Sequence, residues 1–212
     1  VYTQNDLYLH VNISDRLLWY DTSPVLQELL QWDAVSLYLT TPLSETYRFD
    51  GQLSLSEPRS NHQAAWRKFG PDWQLASIPF TTKTSYRSIS PVNDDLNDDG
   101  WSISFTIPFG SLGFSIPPAE RSTWKIGLKL YDRDDAEGSP RPSQIWPAEF
   151  DEDMQERWGD LFFGLPSFTL HPGLIQSGIT TIRHKLESAD VRDGMVGGGT
   201  VCGEGLNKWT EW

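Results

Sequence analysis

The sequence predicts an all-β protein built around an antiparallel β-sandwich. Between residues 2 and 170, apolar residues recur in short alternating or continuous runs, and turn-forming Gly, Pro, Asn and Asp residues separate these runs. Alternation with a period of two is typical of strands that bury one face, and many such short strands indicate a two-sheet sandwich. A chain of 212 residues, 38% of them hydrophobic, is long enough for one good core. We therefore expect one main domain with at most one or two short helices.

Five segments carry the strand pattern. In the first, apolar residues at positions 7, 9, 11 and 13 share one face, and polar residues between them share the other. A short helix is predicted over residues 24–31, because Pro24 suits a first helical turn and leucines follow at helical spacing. The predicted strands are residues 6–14, 33–39, 101–108, 124–131 and 160–163.

The composition changes after Pro166. Residues 171–212 are rich in glycine and show little regular alternation. We interpret residues 1–170 as the sandwich, and residues 171–212 as a linker and the start of a following module. The abrupt entry into a strand region after Val1 also indicates a piece of a larger secreted polypeptide.

Charge and apolar length exclude several classes of partner. The formal net charge of −12 and the pI near 4.6 oppose binding to phosphate backbones. No apolar run approaches the ~20 residues that span a bilayer, and no leader peptide begins at Val1. The single cysteine, Cys202, excludes an internal disulfide framework; it is either free or paired with a cysteine of a longer parent chain. We expect a soluble extracellular or cell-surface module that neither binds nucleic acid nor inserts into a membrane.

Five sequence blocks together resemble family 9 carbohydrate-binding modules and their DOMON-like relatives. They follow the family's order and spacing over residues 1–170 and comprise residues 5–15, 32–39, 100–109, 126–132 and 158–161. The resemblance implies a jelly-roll-like antiparallel sandwich in which structural calcium is common and a sugar lies between aromatic side chains at one end. Leu30, Ser36 and Glu152 occupy family positions that elsewhere carry aromatic or acidic sugar contacts.

Four tryptophans are candidate sugar contacts. Trp66 and Trp73 lie in a loop-like stretch that contains cations and a Gly-Pro pair, where large aromatic side chains are difficult to bury. Trp32 borders a predicted strand, and Trp146 precedes Pro147 in an acidic loop. Exposed indole faces attract the C–H groups of sugars. The alternative is that these side chains fold back over the edge of the sandwich as a small core.

Two acidic segments are candidate calcium ligands. Asp95, Asn97 and Asp99 precede Gly100 in a D-x-N-x-D-G motif, which resembles the first half of a calcium loop. The closing Glu of such a loop is absent, because Thr106 stands there. The same residues would also form an ordinary turn before a strand without any metal.

The second acidic segment follows the fourth predicted strand. Its carboxylates repel one another unless a cation or Arg133 neutralises them, so this segment is either a metal site, an ion-paired cluster or a solvated loop. The candidate ligands are Asp132, Asp134 and Asp135.

No catalytic motif is present in the sequence. It contains no nucleophile elbow, no phosphate-binding glycine loop and no H-E-x-x-H pair, and its four histidines are scattered. We therefore predict a non-enzymatic carbohydrate-binding module joined to neighbouring modules of the same parent chain. A structural or assembly module without a sugar site is the alternative. A weaker alternative is haem binding, which some DOMON relatives show; the candidate thioether ligands here are Met154 and Met195.

Overall fold

The computed structural model describes residues 1–55, 59–88, 91–137 and 140–164. Within these ranges the regular elements are β-strands and short 3-10 helices. The predicted linker and following module, together with Cys202 and Met195, lie outside the described residues. In the described part of the chain, no helix has the length and hydrophobicity needed to cross a bilayer.

In the described residues, ten strands form two antiparallel sheets that pack face to face. The small sheet has the order β1-β7-β6, with β1 at Asp6–Ile13, β6 at Thr81–Tyr86 and β7 at Trp101–Pro108. The large sheet has the order β10-β8-β2-β3-β4-β5, and β9 also pairs with β8. Its strands are β2 (Ala34–Thr40), β3 (Thr46–Gln52), β4 (Gln63–Phe69), β5 (Asp72–Leu75), β8 (Thr123–Tyr131), β9 (Gln144–Trp146) and β10 (Gly159–Phe162). The all-β sandwich prediction is confirmed.

The five predicted strands correspond to β1, β2, β7, β8 and β10, with small shifts at their ends. The other five strands were not predicted. The predicted helix over residues 24–31 is wrong, because the segment forms turns and one 3-10 turn at Leu29–Gln31. Further 3-10 turns lie at Arg59–His62, Phe109–Leu112 and Gln155–Arg157.

The main core lies between the two sheets. Alternate residues of β2, β3 and β7 point into it, and the side chains of Leu37, Phe49, Ile103 and Phe105 are fully buried. Gly51 faces the small sheet at a tight contact, where an added Cβ would come 2.5 Å from Cδ1 of Ile103. The alternation that the sequence shows is therefore the contact surface of the sandwich.

The large sheet is also covered on its outer face. Residues 147–158 cross it, and the rings of Phe150 and Trp158 pack on Tyr38, with centroids 4.9 Å and 5.8 Å from that of Tyr38. Tyr38 is fully buried although it points away from the main core. A second, smaller core thus holds this segment on the sheet.

The sequence suggested a loop for Trp66 and Trp73, but both lie in strands. They belong to the hairpin of β4 and β5, whose turn contains Gly70 at a φ of 58°. Lys68 and Trp73 are directly opposite in this hairpin, and Trp66 is opposite Leu75. The side chains of both tryptophans therefore reach the outer face of the large sheet.

Candidate functional site

Polar side chains cover the outer face of the large sheet beside the small aromatic core. Ser36 on β2 is directly opposite Asp50 on β3, and Gln52 follows on the same face of β3. All three side chains are at most 1% exposed. A buried polar row on the outer face of a sandwich needs hydrogen-bond partners, because unpaired buried polar groups are costly.

Asp50 is the centre of this polar row. Its carboxylate accepts hydrogen bonds from the Ser36 hydroxyl at 2.6 Å and from the Trp66 indole Nε1 at 2.6 Å. Nε of Arg48 lies 3.2 Å from the same carboxylate. Burial raises the pKa of Asp50, while Arg48 and the two hydrogen bonds oppose that rise. The carboxylate is therefore held in one position by three neighbours.

Three buried polar atoms near Asp50 have no hydrogen-bond partner among the described residues. They are the hydroxyl of Tyr38, Nε of Arg48, which is ion-paired with Asp50, and the side-chain oxygen of Gln52, whose Nε2 donates to the Leu29 carbonyl at 3.2 Å. Burial raises the pKa of the Tyr38 hydroxyl, and the nearby Tyr131 and Glu152 raise it further.

Aromatic rings and cations alternate around the polar row. The guanidinium of Arg48 lies 4.6 Å from the ring centre of Trp66 and 5.4 Å from that of Trp73. The ammonium of Lys129 lies 5.3 Å from the ring centre of Tyr131. Each cation covers one ring face, so stacking by a sugar is left to the opposite face or requires Arg48 to move.

Two lysines hold residues 147–158, which we call the covering segment, at the edge of this site. Lys129 pairs with the Glu152 carboxylate at 2.7 Å. Lys68 donates to the Glu152 carbonyl at 2.8 Å and pairs with Asp153 at 2.7 Å. Glu152, one of the positions where the sequence departs from the family, thus joins the outer face to residues 147–158.

The other two candidate tryptophans lie apart from Trp66 and Trp73. Trp32 precedes β2, and the guanidinium of Arg133 lies 4.3 Å from its ring centre. Trp146 lies in β9 and is 51% exposed. The structure does not bring the four indoles into one platform, and their roles in binding stay predictions.

Sequence reasoning missed Arg48, Asp50 and Tyr131. For Arg48 and Asp50 the available signal was their alternation with apolar residues in residues 46–52. Such alternation indicates a solvent-exposed face, not a binding site. Met154, the one described candidate for haem ligation, is 40% exposed in the covering segment.

A second cluster of functional groups lies at the end of the sandwich where β1 and β8 finish. Carboxylate oxygens of Asp15, Asp132 and Asp134 all lie within 4.8 Å of one another. Asp15 follows β1, whereas Asp132 and Asp134 follow β8. Arg141 pairs with Asp134. These groups line a cleft of about 570 Å³, which we call the acidic cleft; it is lined by Ser14, Asp15, Arg16, Leu17, Asn97, Asp98, Asp99, Asp132, Asp134 and Arg141.

The pKa values of these carboxyl groups reflect their crowding. Burial raises the pKa of Asp15 to about 6, and the charges of Asp132 and Asp98 add to the rise. Burial raises the pKa of Asp132 as well. Behind them, Asp33 is fully buried, and burial raises its pKa to about 8, with Asp15 contributing. A positive charge in the cleft would relieve this crowding.

The predicted metal ligands are only partly brought together. Asp132 and Asp134 lie in the cluster, whereas Asp135 is exposed and accepts a hydrogen bond from the Glu137 backbone. Asp95 is exposed and does not line the cleft, while Asn97 and Asp99 are exposed residues of its lining. Asp15 and Asp98 were not predicted as ligands.

Comparison with known proteins gives similarity of fold. No family model and no curated protein matches the chain. An inferred carbohydrate-binding protein from Bacteroides uniformis has a similar structure, with a TM-score of 0.54 and 14% identity over 76% of this chain and 74% of that one. The chain shares that protein's sandwich fold.

Two further similar structures are of a family 9 carbohydrate-binding module from Caldicellulosiruptor kristjanssonii. In complex with glucose it has a TM-score of 0.47 and 14% identity over 80% of this chain and 76% of that one. In complex with cellotriose it has a TM-score of 0.47 and 16% identity over the same shares.

Proposed function

We propose that this chain is a non-catalytic carbohydrate-binding module that acts outside the cell, attached to neighbouring modules of a parent protein. The observation that carries the proposal is the polar row on the outer face of the large sheet. Asp50 is held there by Ser36, Arg48 and Trp66, and the Tyr38 hydroxyl nearby has no partner among the described residues. Preorganised acceptors and donors beside aromatic rings are the usual composition of a sugar site.

Several features favour sugar over a purely structural role. The buried carboxylate in the outer face is energetically costly, because burial raises its pKa and disfavours its charged form. The residues around it combine both kinds of contact that a pyranose uses, since Trp66 and Tyr131 offer ring faces, and Arg48 and Lys129 offer donors. The similarity in fold to an inferred carbohydrate-binding protein points in the same direction.

The test is a glycan array followed by titration of intrinsic tryptophan fluorescence with each glycan that binds. Arg48→Met should lower the affinity by about tenfold or more, because it removes hydrogen bonds from a charged donor. Arg67→Met is the matched control. Its guanidinium also lies over a ring, 5.6 Å from that of Tyr47, and pairs with Glu45 at 3.2 Å, but it belongs to the neighbouring residue pair, which alternates to the other face of the same two strands.

The control variant should bind like the parent protein. An equal loss of glycan affinity in both variants would mean that the binding site does not lie around Arg48. Absence of binding to every glycan would leave the assembly module as the better explanation.

We also propose that the acidic cleft holds one calcium ion. The donor set fits, because calcium prefers six to eight oxygen ligands and tolerates irregular geometry. Asp15, Asp132 and Asp134 would supply carboxylates to it. The ion would neutralise the cluster and tie the end of β1 to the end of β8, so its role would be structural.

Thermal unfolding tests the calcium proposal. Millimolar calcium should raise the Tm above that in excess chelator, because an ion that binds only the folded state stabilises it. Asp15→Asn should remove most of this shift. Asp72→Asn, at an exposed position in β5, is the control that should keep it. Equal Tm values with calcium and with chelator would contradict the proposal.

A further inference from the structure

The acidic cleft is larger than a single ion requires. Each water in the liquid occupies roughly 30 Å³, so an ion with six waters needs on the order of 200 Å³, whereas the cleft measures about 570 Å³. Asp15, Asp132 and Asp134 are only partly buried, so an ion among them faces solvent on one side. Three carboxylates do not fill the six to eight coordination positions of calcium unless all bind through both oxygens. Space and coordination positions therefore remain for a ligand.

Asp98 gives independent support for a cation in this cleft. It is 5% exposed, and one carboxylate oxygen accepts a hydrogen bond from the Leu18 backbone at 3.1 Å. Its other oxygen, Oδ1, is buried without a partner among the described residues, and Asp98 lines the cleft. A buried carboxylate oxygen without a donor is costly. A cation in the cleft would provide the compensating charge.

Arg16 is the second arginine in the lining of the cleft. It is exposed and lines the cleft, and in the described part of the chain its guanidinium has neither an ion pair nor a hydrogen bond. Arg141, the other arginine of the cleft, is paired with Asp134. The Asp98 backbone N–H donates to the Arg16 carbonyl at 2.7 Å, which fixes the main chain at this position.

We propose that the acidic cleft binds the carboxylate of an acidic sugar, such as a uronate unit, between the bound calcium ion and Arg16. The proposal rests on the calcium ion proposed above. It concerns a site separate from the outer face of the large sheet. A carboxylate can coordinate calcium and accept a charge-assisted hydrogen bond from a guanidinium at the same time. A neutral sugar offers hydroxyls to the ion but gains little from Arg16.

Binding must depend on the ion. The cleft is lined by five aspartates and two arginines, which gives a formal net charge of −3 without a metal. This charge repels an anionic sugar. A calcium ion brings the formal charge of the cleft to −1 and offers a cation that the ligand carboxylate can coordinate directly.

Isothermal titration of the whole chain with trigalacturonate tests the proposal, with cellotriose as the neutral comparison. In calcium we expect saturable binding of trigalacturonate that weakens at least tenfold in excess chelator. Arg16→Gln should weaken it about tenfold while the calcium-dependent rise in Tm stays unchanged, because Arg16 is not an ion ligand. Lys83→Gln, which removes an exposed cation of β6, should change neither property.

The outcomes separate the two proposals. A rise in Tm with calcium but no binding of trigalacturonate would overturn the uronate site and leave the ion in place. Binding that is equal with chelator, or equal in the Arg16→Gln variant, would also overturn it. Absence of any calcium-dependent rise in Tm would contradict both the calcium proposal and the uronate proposal.

Discussion

The ring of Phe150 packs directly on the backbone of Gly127. A Cβ atom at residue 127 would lie 2.0 Å from Cε2 of Phe150. Gly127 is directly opposite Tyr38 in the sheet, and Phe150 also packs on Tyr38. This contact seats the covering segment, residues 147–158, on the outer face of the large sheet, next to the polar row around Asp50.

Gly127→Ala should therefore separate the covering segment from the sheet. We expect a loss of about 1–3 kcal/mol in the free energy of unfolding, the usual cost of overpacking, together with increased protease cleavage within residues 147–158. Chemical denaturation and limited proteolysis measure the two effects. Gly110→Ala is the control, because an added Cβ there meets nothing within 4 Å. A fully stable Gly127→Ala variant would mean that Phe150 does not anchor this segment.

Removing the Ser36 hydroxyl should destabilise the polar row. Ser36→Ala leaves one oxygen of the buried Asp50 carboxylate without its 2.6 Å donor, and we expect a cost of about 1–3 kcal/mol. Ser102→Ala is the control, because its hydroxyl pairs with that of Ser85 on the solvent-facing side of the small sheet. Urea denaturation of both variants checks this. Similar losses would show that burial of Asp50 does not set the cost.

Asp50 should also make stability depend on pH. Its folded pKa lies above the ordinary value of 3.8, chiefly because of burial. The folded state thus binds the proton more tightly than the unfolded state. The stability that this carboxyl contributes is fully present below about pH 3.8 and is lost as pH rises through the folded pKa.

Asp50→Asn isolates this effect because asparagine does not titrate. The free energy of unfolding of the parent protein, minus that of the variant, should fall as the pH rises above about 3.8. Urea denaturation at several pH values gives this difference. If the difference grows with pH instead, the Arg48 ion pair outweighs burial and the charged carboxylate is the favoured form.

Gly100 is required by the backbone rather than by a metal. Its φ is 98°, and an added Cβ would lie 2.2 Å from the Ile13 carbonyl oxygen. Gly100→Ala should lower stability by at least about 2 kcal/mol, with or without calcium, because both strain and a backbone clash must be relieved. Gly70→Ala is the control, since φ is 58° there but nothing lies within 4 Å. Thermal melts with calcium and with chelator measure both variants. A smaller loss for Gly100→Ala than for Gly70→Ala would contradict this explanation.

Some strands could not be predicted from the sequence, for identifiable reasons. In β3, outward-pointing Arg48, Asp50 and Gln52 are themselves buried or nearly so, under the covering segment and the turn at Leu29–Gln31. The sequence there alternates apolar and polar residues, which indicates a solvent-exposed face, and only the tertiary structure buries that face. In β6 the core-facing residues are Thr82 and Thr84, which carry no apolar signal. In β6 the hydrogen bonds to β7, not local hydrophobicity, define the strand.

The sequence by itself determined the fold class, the strands β1, β2, β7, β8 and β10, and the acidic character of the loops that follow β8 and precede β7. These are local properties, because the alternation of a strand and the composition of a loop depend only on residues that are close together in the sequence. Only the tertiary structure decided which residues meet. It brought Asp15 to Asp132 and Asp134, and Ser36 to Asp50, because those contacts depend on the order and register of strands far apart in the chain.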